Sequence, residues 1–232
     1  MKGTLATYRI QNGYIVVDID KRHYLLDIES HMSRSYDPTL SFVEIKGIQY
    51  PLDDETERHD ISGLQELAGT IIDGMLAMDI IEQTSLTIYK NGLIWFDRKD
   101  IEGVRVPLLP CLGPTLVKVN GKCGKADNDV LINSGMRYGY AIKPFLDRNF
   151  ADLLPYDHVS DFHPYMEMLD SDAYHLLLSI EGLPVKCVDI CYNEEVEWLL
   201  LAITGTYMSV NINELFDEAI QINMDTRELV IN

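Results

Sequence analysis

An all-β fold with a few short helices is what the sequence predicts, and three observations carry it. Apolar residues recur mostly with a period of two, as in Tyr14-Ile15-Val16-Val17-Asp18-Ile19-Asp20, the spacing that sends successive side chains to opposite faces of a sheet. Asn91-Gly92 separates Leu86-Thr87-Ile88-Tyr89 from Leu93-Ile94-Trp95-Phe96, and Asn-Gly is the dipeptide best suited to a tight hairpin turn. Helical periodicity is scarce, with short candidates only at Met75–Glu82, Phe145–Leu154 and Asn213–Ala219.

Taken in chain order, Tyr14–Asp20 and Tyr24-Leu25-Leu26 read as strands. Phe42-Val43-Glu44-Ile45-Lys46 and Gly47-Ile48-Gln49-Tyr50 read as strand, turn and strand. The longest apolar run, Trp198 to Ile203, is short enough for a buried strand. No run approaches the roughly 18 apolar residues of a membrane helix, and Met1 to Asp20 alternates polar with apolar residues instead of forming an export signal. The expectation is a soluble, cytoplasmic protein. Cys111, Cys123, Cys187 and Cys191 are then reduced thiols.

The chain has 232 residues, 47% hydrophobic and 24% charged, which is enough to bury one large core or two small ones. Its 19 basic and 37 acidic residues give a formal net charge of −18. That balance repels phosphate backbones and anionic lipid, so nucleic acid and membrane are poor partners, short of an acidic mimic of nucleic acid.

Three features recur in the same order in both halves. An apolar pair leads into a short polar turn at Leu25-Leu26-Asp27-Ile28-Glu29-Ser30 and again at Leu131-Ile132-Asn133-Ser134-Gly135. A hairpin with glycine at its turn comes next, Ile45-Lys46-Gly47-Ile48 and Ile180-Glu181-Gly182-Leu183. Last come Gly69-Thr70-Ile71-Ile72 and Gly205-Thr206-Tyr207-Met208, each opening a stretch that closes on a hairpin. The distance from Gly47 to Gly182 is within one residue of that from Gly69 to Gly205. The pattern predicts an internal duplication with lobes at 1–105 and 106–232, the second carrying an insertion near 144–172.

These residues resemble the retropepsin and pepsin-like aspartic peptidases. The strongest likeness is Thr70-Ile71-Ile72-Asp73-Gly74-Met75-Leu76-Ala77-Met78-Asp79-Ile80-Ile81, then Leu86-Thr87-Ile88-Tyr89-Lys90-Asn91-Gly92. The resemblance implies a two-lobed acid-protease-like β-barrel fold, with one loop from each lobe meeting at a central cleft and with Gly47 and Gly182 at flap or hairpin turns. The family's loop is Asp-Thr/Ser-Gly. Asp27-Ile28-Glu29 keeps the acid and loses the hydroxyl and the glycine, whereas Asn133-Ser134-Gly135 keeps the hydroxyl and the glycine and replaces the acid by an amide.

Aspartic proteolysis needs two close carboxylates sharing a proton, one as base on a water and one as acid. Asn133 can donate a hydrogen bond but cannot exchange a proton. The expectation is therefore a pseudo-peptidase without cofactor, in which Asp27, Glu29, Asn133, Ser134 and Gly135 line a cleft that binds a protein or peptide segment. Asp27 and Asn133 are expected to face each other across a hydrogen bond, with Glu29 pointing elsewhere. Two other readings stand beside this one: an active peptidase pairing catalytic Asp27 with a non-standard acid, and an acidic inhibitor or immunity-type protein for a basic partner.

Other constellations are weaker. Cys187 and Cys191 share one strand face about 13 Å apart, too far for one metal, and read as core. His158 and His163 lack a second ligand pair, so no metal is expected. No glycine-rich phosphate loop is present.

Overall fold

A computed structural model describes residues 4–56, 60–97, 100–111, 115–150, 152–163 and 166–232. Residues 151, 164 and 165 of the expected insertion lie outside them. The fold is predominantly β. Strands β1 (Thr4–Gln11), β2 (Tyr14–Ile19), β3 (Arg22–Leu26) and β4 (Arg34–Ser35) come first, then the hairpin β5 (Phe42–Ile45) and β6 (Ile48–Pro51), and β7 (Asp53–Asp54). Helix α1 (Ser62–Ala68), β8 (Gly74–Leu76), α2 (Met78–Thr84), β9 (Leu86–Tyr89), β10 (Leu93–Phe96) and β11 (Val104–Pro107) complete the first half. Next are β12 (Lys118–Cys123), β13 (Ala126–Asn133), β14 (Gly139–Tyr140), α3 (Lys143–Asn149), β15 (Asp157–His163), β16 (Glu167–Ile180) and β17 (Lys186–Tyr192). The chain closes with α4 (Glu194–Leu199), β18 (Met208–Asn211), β19 (Ala219–Asn223) and β20 (Glu228–Ile231).

Two sheets hold most of these strands. One runs β11-β20-β19-β9-β10-β1-β2-β3-β8-β4-β7, so both ends of the chain share it; the other runs β14-β17-β16-β12-β13-β18, with β15 added to β16. Both paths are open, so the expected closed barrel does not form. At one end of the larger sheet, β7 has only two residues with which to take a further partner. The hairpins at Asn91-Gly92, Gly47 and Gly182 are where the sequence puts them, with φ of 88°, 74° and 81° at the three glycines.

Four parallel pairs interrupt the antiparallel pattern among the described residues, β3–β8, β4–β7, β13–β18 and β14–β17, and the first and third of them matter most for the site. Leu26 of β3 lies beside Leu76 of β8, and Asn133 of β13 lies beside Asn211 of β18. Each pair delivers a loop at its end. After β8 comes α2 and then the hairpin β9–β10; after β18 comes a single 3-10 turn, Ile212–Glu214, and then the hairpin β19–β20. The helix expected over Asn213–Ala219 is therefore reduced to that turn, because Ala219 already pairs with Tyr89. The candidate at Met75–Glu82 starts later, at Met78, since Met75 is taken by β8. Helix α1 carries no sequence pattern long enough to have marked it.

The segment expected as an insertion, 144–172, holds most of α3 and then a long hairpin. Asp157–His163 pairs antiparallel with Glu167–Ala173. Phe162 leaves its own sheet to join Tyr14, Leu25, Ile61, Leu64 and Met75 in a small separate core, and Met168 packs over Gly63 of α1. A lid free to swing would not bury a phenylalanine in another element's core. Phe162→Ala should cost about 3–5 kcal/mol in urea unfolding, against less than about 0.5 kcal/mol for the exposed Leu154→Ala. Equal, small costs would show the hairpin to be loosely attached.

Two further expectations are corrected. Trp198–Ile203 is not a buried strand: it spans the end of α4 and a π-helical turn, Leu200–Thr204, and of its six residues only Leu200 is buried. Cys187 is exposed while Cys191 is buried. Of the two, only Cys191 belongs to the core.

Candidate functional site

The loops after β3 and β13 meet. The Ser134 hydroxyl, wholly buried, donates to Leu26 O at 2.8 Å and accepts from Ile28 N at 3.1 Å. One side chain thus clamps the backbone on both sides of Asp27. The two loops come so close that a Cβ on residue 135 would lie 2.4 Å from Asp27 Cγ, a separation no side chain tolerates, so the position demands glycine.

Asp27 is buried and both oxygens of its carboxylate accept hydrogen bonds. Oδ1 accepts from Glu29 N at 2.9 Å and Ser30 N at 3.1 Å, and Oδ2 accepts from Ser30 Oγ at 2.6 Å. Its own N–H donates to Leu76 O at 2.9 Å, extending the β3–β8 ladder by one step.

Asn133 does not reach across to it. Its two amide hydrogens go to Tyr138 O and Ser209 Oγ, both at 3.1 Å. None remains for Asp27, and the expected Asp27–Asn133 hydrogen bond is absent. Asn133 Oδ1 is buried without a partner. Asn211 serves the same loop, donating to Met136 O at 2.7 Å. The loop's carbonyls thus call for donors, which an amide supplies and an ionised carboxylate cannot.

Sequence reasoning missed a second polar centre. Asp161, wholly buried on β15, accepts from Tyr14 OH at 2.5 Å, Tyr140 OH at 3.0 Å, Phe162 N at 2.8 Å and Arg137 N at 3.2 Å. Burial pushes its carboxyl above the ordinary range while these donors pull it back. His163, two residues on, is pushed down to about 4 by burial, with Asp27 acting against that. Glu29, expected to point elsewhere, is held well above the usual glutamate range, first by burial and then by Asp27 and Asp161. The hairpin therefore brings Asp161 to the segment after β13, through the Arg137 N–H.

No metal set arises from this cluster: among the described residues, no group of three or more His, Cys, Asp or Glu side chains is placed to hold an ion. His158 is drawn instead to Asp172, at 3.1 Å. Among the described residues, no helix is long and apolar enough to cross a membrane. Neither of two surface cavities, one beside Lys143 and Tyr174 and one beside Leu177 and Val185, includes a residue of the two loops. No family model and no curated protein matches this chain.

The Glu29 shift has a consequence for stability. Above the ordinary glutamate value of about 4.3 the unfolded chain loses this proton while the folded chain keeps it. The folded state then binds more protons, and stability falls as pH rises. Glu29→Gln removes that contribution, so the variant should gain stability relative to the native chain between mildly acid and neutral pH. Parallel stability–pH curves for the two proteins would contradict the assignment.

Proposed function

We propose that this chain is a two-lobed, aspartic-peptidase-like protein that has lost its catalytic pair and binds an extended protein segment in the cleft between its lobes. Several features support the reading. The parallel pairs β3–β8 and β13–β18 each end in a loop, and each is succeeded by a helical turn and a hairpin in the same order. This is what a duplication with lobes near 1–105 and 106–232 would leave. The Ser134 clamp joins the two loops as the floor of one site.

The observation that carries the absence of catalysis is the state of Asn133. A working pair needs a second group that gives and takes a proton beside Asp27. Asn133 cannot, and its amide is engaged with Tyr138 and Ser209. Binding is supported by the β5–β6 hairpin. It pairs with no other strand among the described residues, its underside is fixed by Val43, Ile45 and Tyr50, and Phe42 and Ile48 stand exposed on it. A strand-like segment could add to such a free edge through its backbone, with alternate side chains taken up by these apolar residues.

A second reading has its own support. Two neighbouring carboxyl groups whose proton affinities are pushed apart are the raw material of acid–base catalysis, and burial raises that of Glu29 beside Asp27. The two readings part on one assay. Casein should remain uncleaved from acid to neutral pH. Asn133→Asp should not create activity and should cost about 1–3 kcal/mol at neutral pH, because its carboxylate would face Tyr138 O. Cleavage by the native chain, lost in both Asp27→Ala and Glu29→Gln, would establish the second reading instead.

A further inference from the structure

Helix α4 and the π-helical turn that continues it, Glu194–Thr204, carry apolar surface that the fold does not use. Asn193 caps the start, accepting from Glu195 N at 2.9 Å. Val196 and Leu200 anchor the helix, at 3% and 4% exposure. Trp198, Leu201, Ile203 and, just beyond the turn, Tyr207 remain 65%, 43%, 62% and 45% exposed. Trp198 and Leu201 are three residues apart and share a face, and the wider π turn rotates the residues beyond it about the helix axis. Trp198 and Leu201 left in water on one face of a short helix, with Ile203 and Tyr207 exposed beyond them, are apolar surface of the kind that marks an interaction site. The contrast with α1 is direct: that helix also ends on a left-handed glycine, Gly69, but is covered by Met168 and Phe162.

The occupant is constrained by area and by charge. The four exposed side chains present on the order of 500 Å², short of the roughly 800 Å² per partner of a stable dimer. A second copy would also bring another net charge of −18 against this one. The first turn of α4 bears Glu194, Glu195 and Glu197. Glu197 is engaged by Lys143 N at 2.9 Å, while Glu194 and Glu195 are exposed. That acidic rim repels anionic lipid and attracts lysine or arginine. A helix surface has no free backbone edge to extend, so the partner must engage it through side chains, as one helix's ridges enter another's grooves. We propose that this face docks a short amphipathic helix of a partner protein, with an apolar stripe over Trp198 and Leu201 and basic residues against Glu194 and Glu195.

The test uses the full chain and a fluorescently labelled helical peptide of about 18 residues, with leucine at the i, i+3, i+4, i+7 positions of one face and lysine elsewhere. A matching peptide carries glutamate in place of lysine. Anisotropy should show micromolar binding of the lysine peptide and none of the glutamate peptide. Affinity should fall at least about tenfold in Trp198→Ser and in the Glu194→Lys, Glu195→Lys double variant, and stay unchanged in Leu177→Ser, which alters an exposed apolar residue on β16. Three outcomes would overturn the proposal. One is lysine-peptide binding that is indifferent to Trp198→Ser. Another is equal binding of both peptides. The third is a dimer of the native chain, seen in sedimentation, that Trp198→Ser dissolves.

Discussion

The Ser134 hydroxyl is the contact on which the centre of this molecule depends. It donates to Leu26 O and accepts from Ile28 N, so the backbone groups flanking Asp27 are paired by a residue 108 and 106 positions away from them. Both groups lie where water cannot serve them, and an unpaired buried backbone group costs as much as a lost hydrogen bond. Around this clamp Gly135 admits Asp27 at a distance no side chain would allow. The close approach of the two loops results from these two residues together.

A polar interior this dense holds only if its members are paired. The second loop is met by amide donors from Asn133 and Asn211. The β15–β16 hairpin contributes Asp161, held by two tyrosine hydroxyls and two backbone amides. Its neighbour Phe162 supplies the apolar half of the attachment. Asp161 of the same hairpin adds to the burial and to Asp27 in raising the cost of ionising Glu29, which takes stability away at neutral pH. Asn133 takes part as a donor, with both amide hydrogens engaged by Tyr138 O and Ser209 Oγ.

Many of the strands were legible because a period of two and a glycine at the turns of Gly47, Gly92 and Gly182 are local signals. Asp27, Ser134 and Gly135 could be singled out from their motif alone. The Asp161 centre could not, since its tyrosine partner Tyr14 lies 147 positions away and no spacing rule links them. Asn133 was found, but its bonding was misread: sequence shows an amide, while only the neighbouring Tyr138 carbonyl shows why an amide is needed. Trp198–Ile203 failed for a different reason. A short apolar run does not distinguish strand from helix, and nothing in it tells that four of its residues stay in water.

The most direct test of this account is the unfolding free energy of Ser134→Ala beside Ser134→Thr. Alanine strands Leu26 O and Ile28 N, at about 1–3 kcal/mol for each buried group left unpaired, whereas threonine retains the hydroxyl and should recover most of the loss. A cost for Ser134→Ala below about 0.5 kcal/mol, the scale of a neutral surface change, would mean that the two loops do not depend on this clamp.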